Sequence, residues 1–339
     1  MAVWYKENKT EFSPVISSRI RLALNVKGLP FPRRMNEAQK IDFLESIKNI
    51  LDGVEVCNAV KLKYFNISDI PEKELYAMVE RHTVSPDFVE KKGARGIVIS
   101  EDETVSVMLL EEDHIRIQVI YGGLELYKAF EVATKLENLL AEKLTIAFDT
   151  NLGFLTACPT NLGTGLRASV MLHLPVLESV DGLSEISSSV SKIGLTVRGM
   201  YGEKSESKAA LYQLSNQVTL GISEHSAIEN LISITNQIIK REENALSKID
   251  KGALQDLVFR AVGTLKYARR ISSEETMKLI SYVRLGDFAG ILNLCDKTLP
   301  IALLIETKAS FLQKNYGEMS PIERDTLRAN IVREAFKEL

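Results

Sequence analysis

From Gly96 to Ile120 the apolar residues alternate with polar ones: Ile97, Ile99, Val105, Val107 and Leu109, then Ile115, Ile117 and Val119. A period of two marks a strand with one buried face, and no helix satisfies it. Glu101, Asp102, Glu103 and Thr104 interrupt the alternation and read as a hairpin turn. After about residue 250 the strand pattern vanishes. Residues 254–262, LQDLVFRAV, have helical spacing. Ser272 with Glu275 forms one capping box, and Ser320 with Pro321 and Glu323 forms another, proline taking the favoured first helical position. The chain must therefore build an antiparallel sheet in its middle and helices at its end, an α+β fold.

Further elements follow the same rules. Residues 36–51 place Ile41, Leu44, Ile47, Lys48 and Leu51 near helical spacing, and 125–143 also read as helix. Residues 152–157, 193–200 and 211–220 read as strands. A long helix is predicted over 226–247, opened by Ser226 with Glu229 and lined by Ile228, Leu231, Ile232, Ile238 and Ile239. At 339 residues two domains are expected, since single cores stop growing near ~250–300 residues. The boundary falls near 250, giving a sheet-containing domain over 1–250 and a small all-α domain over 251–339.

Composition excludes several classes. Net charge is −3 and pI is near 6.0, so nothing draws the whole molecule to nucleic acid or an anionic membrane. Three cysteines, Cys57, Cys158 and Cys295, include no CxxC pair, and the four histidines lack metal-ligand spacing. No metal-binding residues are expected. Cys57 and Cys295 read as core residues. Without a signal-peptide pattern or a membrane-length apolar run, a reducing cytoplasm is the expected setting.

The arginines carry the chemical information. Arg19 and Arg21 are two apart, with Ile20 and Leu22 between and after, so a strand puts both guanidinium groups on one face. Arg116 lies on the polar face of the strand whose other face is Ile115, Ile117 and Val119. Arg167 follows a glycine-bearing loop, in the predicted first turn of a helix, and Arg198 ends a predicted strand before a glycine-rich loop. Each alone would serve as a surface charge. Together they suit phosphate oxygens, because planar guanidinium forks make bidentate contacts of about 1.5–3 kcal/mol each. No Walker-type lysine loop and no protein-kinase signature accompanies them.

Four blocks then resemble, in order, those of the phosphagen (ATP:guanido) kinases: SSRIR at 17–21, EEDHIRI at 111–117, CPTNLGTGLRASV at 158–170 and RGMYGE at 198–203. The resemblance covers about 15–245. In one bacterial branch, which phosphorylates arginine held in proteins, a helical C-terminal domain ends in an RDxxRA motif. This chain has RDTLRA at 324–329.

The resemblance implies an antiparallel-sheet catalytic domain followed by a helical one that binds phosphoarginine and serves as a dimer surface. It implies ATP as phosphoryl donor, with Mg2+ held by phosphate oxygens and water. The ATP-binding set it implies is Ser17, Ser18, Arg19, Ile20, Arg21, Arg116, Arg167, Ala168, Ser169, Val170, Met171, Arg198, Gly199, Met200, Tyr201, Gly202 and Glu203, with His82 beside the adenine. Glu112 and Glu203 would pair with the acceptor guanidinium and Cys158 would sit near it, its thiol lowered by the cation and a helix start. Glu111 reads as exposed and Asp113 as structural. Arg324, Asp325, Arg328 and Ala329 would hold phosphoarginine. Partners implied are proteins phosphorylated on arginine, a zinc-binding activator and a AAA+ protease, which would mark the phosphorylated proteins for degradation or regulation.

Two departures stand out. Leu110 occupies a position where many family members carry asparagine. Creatine and arginine kinases also have a helical domain ahead of the SSR block, which here begins at residue 17; an open acceptor site for a protein is therefore expected. Competing readings are a kinase of free arginine or another small guanidino compound, a non-catalytic phosphoarginine binder, and an oxidoreductase drawn from GTGLRA at 163–168. The last lacks the expected βαβ setting.

Overall fold

The structure is a computed structural model that describes residues 3–6, 13–56, 60–201, 207–337 and 339. Among them the strands are β1 (Val15–Leu24), β2 (Glu55–Val56), β3 (Val60–Asn66), β4 (Gly96–Ser100), β5 (Val105–Leu109), β6 (Ile115–Gly122), β7 (Phe148–Asp149), β8 (Gly153–Phe154), β9 (Leu166–His173), β10 (Leu195–Tyr201) and β11 (Ser207–Asn216). The helices are α1 (Glu37–Leu51), α2 (Glu72–Glu80), α3 (Pro86–Glu90), α4 (Leu126–Ala141), α5 (Pro175–Ser179), α6 (Gly182–Ser191), α7 (Glu224–Leu246), α8 (Lys251–Tyr267), α9 (Ser273–Phe288), α10 (Leu299–Glu306), α11 (Ala309–Tyr316) and α12 (Pro321–Ala335). Nine strands form one sheet in the order β10-β11-β9-β1-β6-β5-β4-β3-β2, and β7 pairs with β8. From β2 to β6 every pairing is antiparallel. The α+β expectation is met.

The chain divides into two compact units. The first comprises Met1–Trp4, Ser18–Ser169 and Ser215–Ile232. Here the alternating run becomes β4, β5 and β6, with Val105 opposite Val119 and Val107 opposite Ile117. The expected turn is present: Asp102 Oδ1 accepts from Ser100 Oγ at 2.6 Å and from the Thr104 N–H at 3.1 Å. Asn36 caps α1 through a full capping box with Gln39. The helix buries Phe43, Leu44, Ile47 and Leu51, while Ile41 is exposed; Phe43 takes the place the spacing gave to Ile41. α4 buries Leu126, Ala129, Val132, Ala133, Leu136 and Leu140 on one stripe, against β6.

The second unit comprises Tyr5–Ser17, Val170–Leu214 and Ser233–Leu339. Asp250, Ser272 and Ser320 cap α8, α9 and α12, the last as a capping box with Glu323 and with Pro321 in the first turn. Val176, Leu254, Val258 and Leu285 form an apolar cluster. Glu242 is buried and accepts the N–H groups of Val176 and Leu177 at 2.8 and 2.9 Å, completing the start of α5. Burial pushes its carboxyl up to about 7.

Three boundaries differ from expectation. Only Gly153–Phe154 of 152–157 is strand. β11 ends at Asn216 rather than 220, because the Asn216 amide turns onto the Leu166 and Val218 carbonyls, each at 3.1 Å. α7 starts at Glu224, with Ser223 Oγ accepting the Ser226 N–H, so the cap is Ser223 and Ser226 is helical. Cys295 is exposed, not core, the neighbouring Leu294 being the buried one. Cys57 lies outside the described residues.

Candidate active site

β1 carries Arg19 and Arg21 on one face, both half-buried, with Ile20 and Leu22 buried on the other. Arg116 is on β6 and Arg167 on β9. The helix expected at Arg167 is a strand. Gly163 and Gly165 have φ of +109° and +63°; a Cβ on Gly163 would lie 2.2 Å from the Thr219 carbonyl oxygen. The Ala23 N–H donates to the Gly165 carbonyl, so the chain joins β1 as it leaves the turn. β9 is buried at every position but Arg167, so both its faces are covered, which hides the period-two signal.

Arg21, Arg116 and Arg167 line a cavity of about 160 Å³ together with Glu112, Cys158 and Asn161. Around Arg21 positive charge outweighs negative, Glu111 being the one carboxylate acting on it among the described residues. Burial, then the positive charges of Arg19, Arg116 and Arg167, push the Arg21 guanidinium well below its ordinary value. Arg21 Nε is buried with no hydrogen-bond partner. An anion placed there would satisfy the donor and relieve the repulsion, which is what phosphate oxygens supply.

The carboxylates that line the cavity, Glu111, Glu112 and Asp113, lie on the loop from β5 to β6. Leu110 has φ of +62° and its N–H donates to the His114 carbonyl at 2.9 Å. Asparagine adopts this left-handed conformation more readily than leucine, a backbone reason for the family's usual residue. Leu110 compensates with a buried side chain. Glu111, expected to be exposed, is buried: its carboxylate accepts from Arg116 and Ser85, and its carbonyl accepts from Lys91. Glu112 is the exposed member and faces the cavity. Asp113 is buried and bonded to Asn25 and the Ala157 N–H, each at 2.6 Å. Cys158 is half-buried, its Sγ 3.0 Å from Thr160 Oγ1. A single 3-10 turn, Pro159–Asn161, follows it, so the expected helix start beside the thiol is absent.

Other sequence-selected residues take varied places. Ser18 is fully buried, donating to the Gly123 carbonyl and accepting the Glu125 N–H; it anchors the chain before α4. Ser17, Ala168, Ser169, Val170 and Met171 are buried on β1 and β9. His82 is half-buried in a left-handed conformation, its ring centroid 6.2 Å from that of Trp4. Arg198, Gly199, Met200 and Tyr201 are on β10, with Arg198 exposed. Gly202 and Glu203 lie outside the described residues. On α12, Arg324 is half-buried and donates to the Met319 carbonyl. Arg328 is buried, giving Nε to Thr307 O at 2.8 Å and one Nη to Ile271 O at 2.9 Å and to Asp325 at 2.5 Å. Ala329 is buried beside it in sequence.

Asn25, Ser85 and Lys91 also hold the site, and their partners are distant in the chain and leave no periodic trace in the sequence. Among the described residues, no group of three or more His, Cys, Asp or Glu side chains could hold a metal ion, and no helix is long and apolar enough to cross a membrane.

Residues 42–245 match the family model of the ATP:guanido phosphotransferase C-terminal catalytic domain, and 251–339 match the protein-arginine kinase McsB C-terminal domain. A protein-arginine kinase of Halothermothrix orenii is 43% identical over 334 residues, 97% of this chain and 95% of the relative. That of Bacillus subtilis is 39% identical over 338 residues, 98% and 93% of the two chains. Among solved structures, lombricine kinase aligns with a TM-score of 0.60 at 26% identity, over 72% of this chain and 71% of that one. A duplicated taurocyamine kinase from Schistosoma mansoni shares the fold, with a TM-score of 0.61 at 23% identity over 85% of this chain and 49% of its own. With that family model matched over more than half of its length and such relatives aligned almost end to end, the chain belongs to the ATP:guanido phosphotransferase family.

Proposed function

We propose that this chain transfers the γ-phosphoryl group of ATP to the guanidinium of arginine residues in proteins. The observation that carries the reading is the shared cavity: Arg21, Arg116 and Arg167 line it together with Glu112 and Cys158. Relatives named protein-arginine kinase, matched over nearly their whole length, favour protein arginine over free arginine as acceptor.

In this reading Arg19, Arg21, Arg116, Arg167 and Arg198 bind the phosphates, with His82 near the adenine. Glu112 and Glu203 align the acceptor guanidinium, and Cys158 lies beside it. A protonated guanidinium, with a pKa above ~12, is no nucleophile. Glu112 takes its proton as nitrogen bonds to the γ-phosphorus; the bond to the bridging oxygen breaks and ADP leaves. Mg2+ would be held by phosphate oxygens and water and would neutralise developing charge there.

The wider proposal assigns catalysis to 1–250. To 251–339 it assigns phosphoarginine binding through Arg324, Asp325, Arg328 and Ala329, and a dimer surface. It places the protein in the cytoplasm with a zinc-binding activator and a AAA+ protease as partners, and gives phosphorylation a role in marking proteins for degradation or regulation. The test is incubation with ATP, Mg2+ and casein, then mass spectrometry for acid-labile phosphoarginine, beside a reaction with free arginine. Phosphorylation of the free amino acid alone would overturn the choice of acceptor.

A further inference from the structure

Asn25 follows β1 and is 2% exposed. Its Nδ2 donates to Asp113 Oδ1 at 2.6 Å and to the Leu155 carbonyl at 3.0 Å. Its Oδ1 accepts the His114 N–H at 2.9 Å. The same Asp113 oxygen accepts the N–H of Ala157, the residue before Cys158. One amide therefore grips two segments at once: the loop that carries Glu112 and the loop that carries Cys158. The next residues tighten the hold. The Val26 N–H donates to His114 Nδ1 at 3.0 Å, and His114 Nε2 donates to the Pro30 carbonyl at 2.8 Å.

An apolar residue of the same size would fill the space but bond neither segment. Asn25 is neutral, does not line the cavity and reaches it only through these partners. Glu112 adjoins Asp113 on one held segment and Cys158 adjoins Ala157 on the other, so the clasp bears on their separation. A displacement of about 1 Å between aligning groups costs on the order of 10²-fold in rate.

We propose that Asn25 is a positioning residue for the phosphoryl acceptor: through Asp113 and the 155–157 backbone it fixes the spacing of Glu112 and Cys158. The proposal rests on the reading of those two residues as the acceptor side of the site.

The test compares the parent, Asn25→Asp, Asn25→Leu and the exchanged pair Asn25→Asp/Asp113→Asn. Asn25→Asp sets two carboxylates against each other at nearly constant shape; the exchanged pair restores one donor and one acceptor. Four readouts are taken: kcat and KM for casein, ATP affinity, thermal melting, and the alkylation rate of Cys158 by iodoacetamide. Cys158 is read by peptide mass spectrometry, with exposed Cys295 as the internal reference. For Asn25→Asp we expect kcat/KM for casein to fall on the order of 10²-fold, ATP affinity to hold within about twofold, and Cys158 alkylation to change severalfold. The exchanged pair should recover about tenfold of the loss, since contacting residues couple.

Unchanged Cys158 alkylation in both single variants would overturn the proposal. So would parallel loss of ATP affinity, or an exchanged pair no better than Asn25→Asp. If Asn25→Asp does not fold, Asn25→Leu carries the same readouts without the added charge. A parent inactive on protein arginine would refute the functional reading, yet the thiol would still judge the clasp.

Discussion

Arg328→Ala removes a guanidinium whose main work is visible in its bonds. The side chain is buried and donates to the carbonyls of Thr307 and Ile271, at 2.8 and 2.9 Å. Those carbonyls lie just after α10 and just before α9, so one residue of α12 ties together three helices of the second unit. A hydrogen bond from a charged donor contributes about 1.5–3 kcal/mol, and the alanine strips both carbonyls of this partner. The expected loss is about 3–6 kcal/mol, a large share of the ~5–15 kcal/mol that holds most domains folded. The ion pair to Asp325 adds little, since that carboxylate is 37% exposed. Arg324→Ala loses one such bond, to the Met319 carbonyl, from a half-buried position where water can replace the donor, and should cost under about 1.5 kcal/mol. Urea titration followed by far-UV circular dichroism reads the difference as a shift in midpoint at constant slope. Equal costs for the two variants would refute the argument. A calorimetric search for phosphoarginine at α12 should therefore use Arg324→Ala, because loss of binding in Arg328→Ala would report unfolding.

Glu112→Gln should abolish phosphoryl transfer while ATP affinity, measured on the same preparation, stays nearly intact; turnover near the parent level would remove Glu112 from the chemistry. Arg116→Lys keeps the charge but loses the planar fork, and should cost on the order of 10²-fold in rate; a loss under about threefold would leave Arg116 only as the ion-pair partner of Glu111. Burial lowers the ordinary pKa of both His114 and His173, so the unfolded chain binds their protons first. Their contribution is whole above the unfolded value of ~6.5 and declines as pH falls below it. Glu242 acts oppositely, its contribution being whole below the unfolded value and lost as pH rises through about 7. Urea midpoints of His173→Asn against the parent, at pH 7.5 and 5.5, should show a flatter acid decline in the variant; parallel declines would count against a buried neutral His173.

Much of this fold is written in local pattern. The caps at Asn36, Ser272 and Ser320 sit where Ser, Thr and Asn at helix starts belong, and β4 to β6 follow period two. What the sequence conceals depends on neighbours. Arg167 is on a strand covered on both faces, where alternation disappears and a loop-to-helix reading fits equally well. Glu111 and Glu112 are adjacent identical residues. Only Ser85, Lys91 and Arg116, brought in by folding, decide that the first is buried and the second is free to face the cavity. The family blocks named Arg21, Arg116, Arg167, Glu112 and Cys158, and the fold gathers them around one cavity. Asn25 had no such flag, since a lone asparagine after a strand has no periodic or motif signature.

The crowding of Arg19, Arg21, Arg116 and Arg167 bears on how the protein responds to ionic strength. Exposed pairs such as Lys135 with Glu131 weaken as salt rises. In the arginine cluster the interaction being screened is repulsive. At ~0.15 M the Debye length is only about 8 Å, and further salt shortens it into the range of these contacts. Chloride, sulfate or inorganic phosphate should therefore raise the melting temperature of the nucleotide-free protein, the multivalent anions most, and under the proposed assignment of ATP to these arginines the gain should shrink when ATP is added. An electrolyte would then compete with the nucleotide while protecting the fold, so affinity and thermal stability would move in opposite directions along one salt titration.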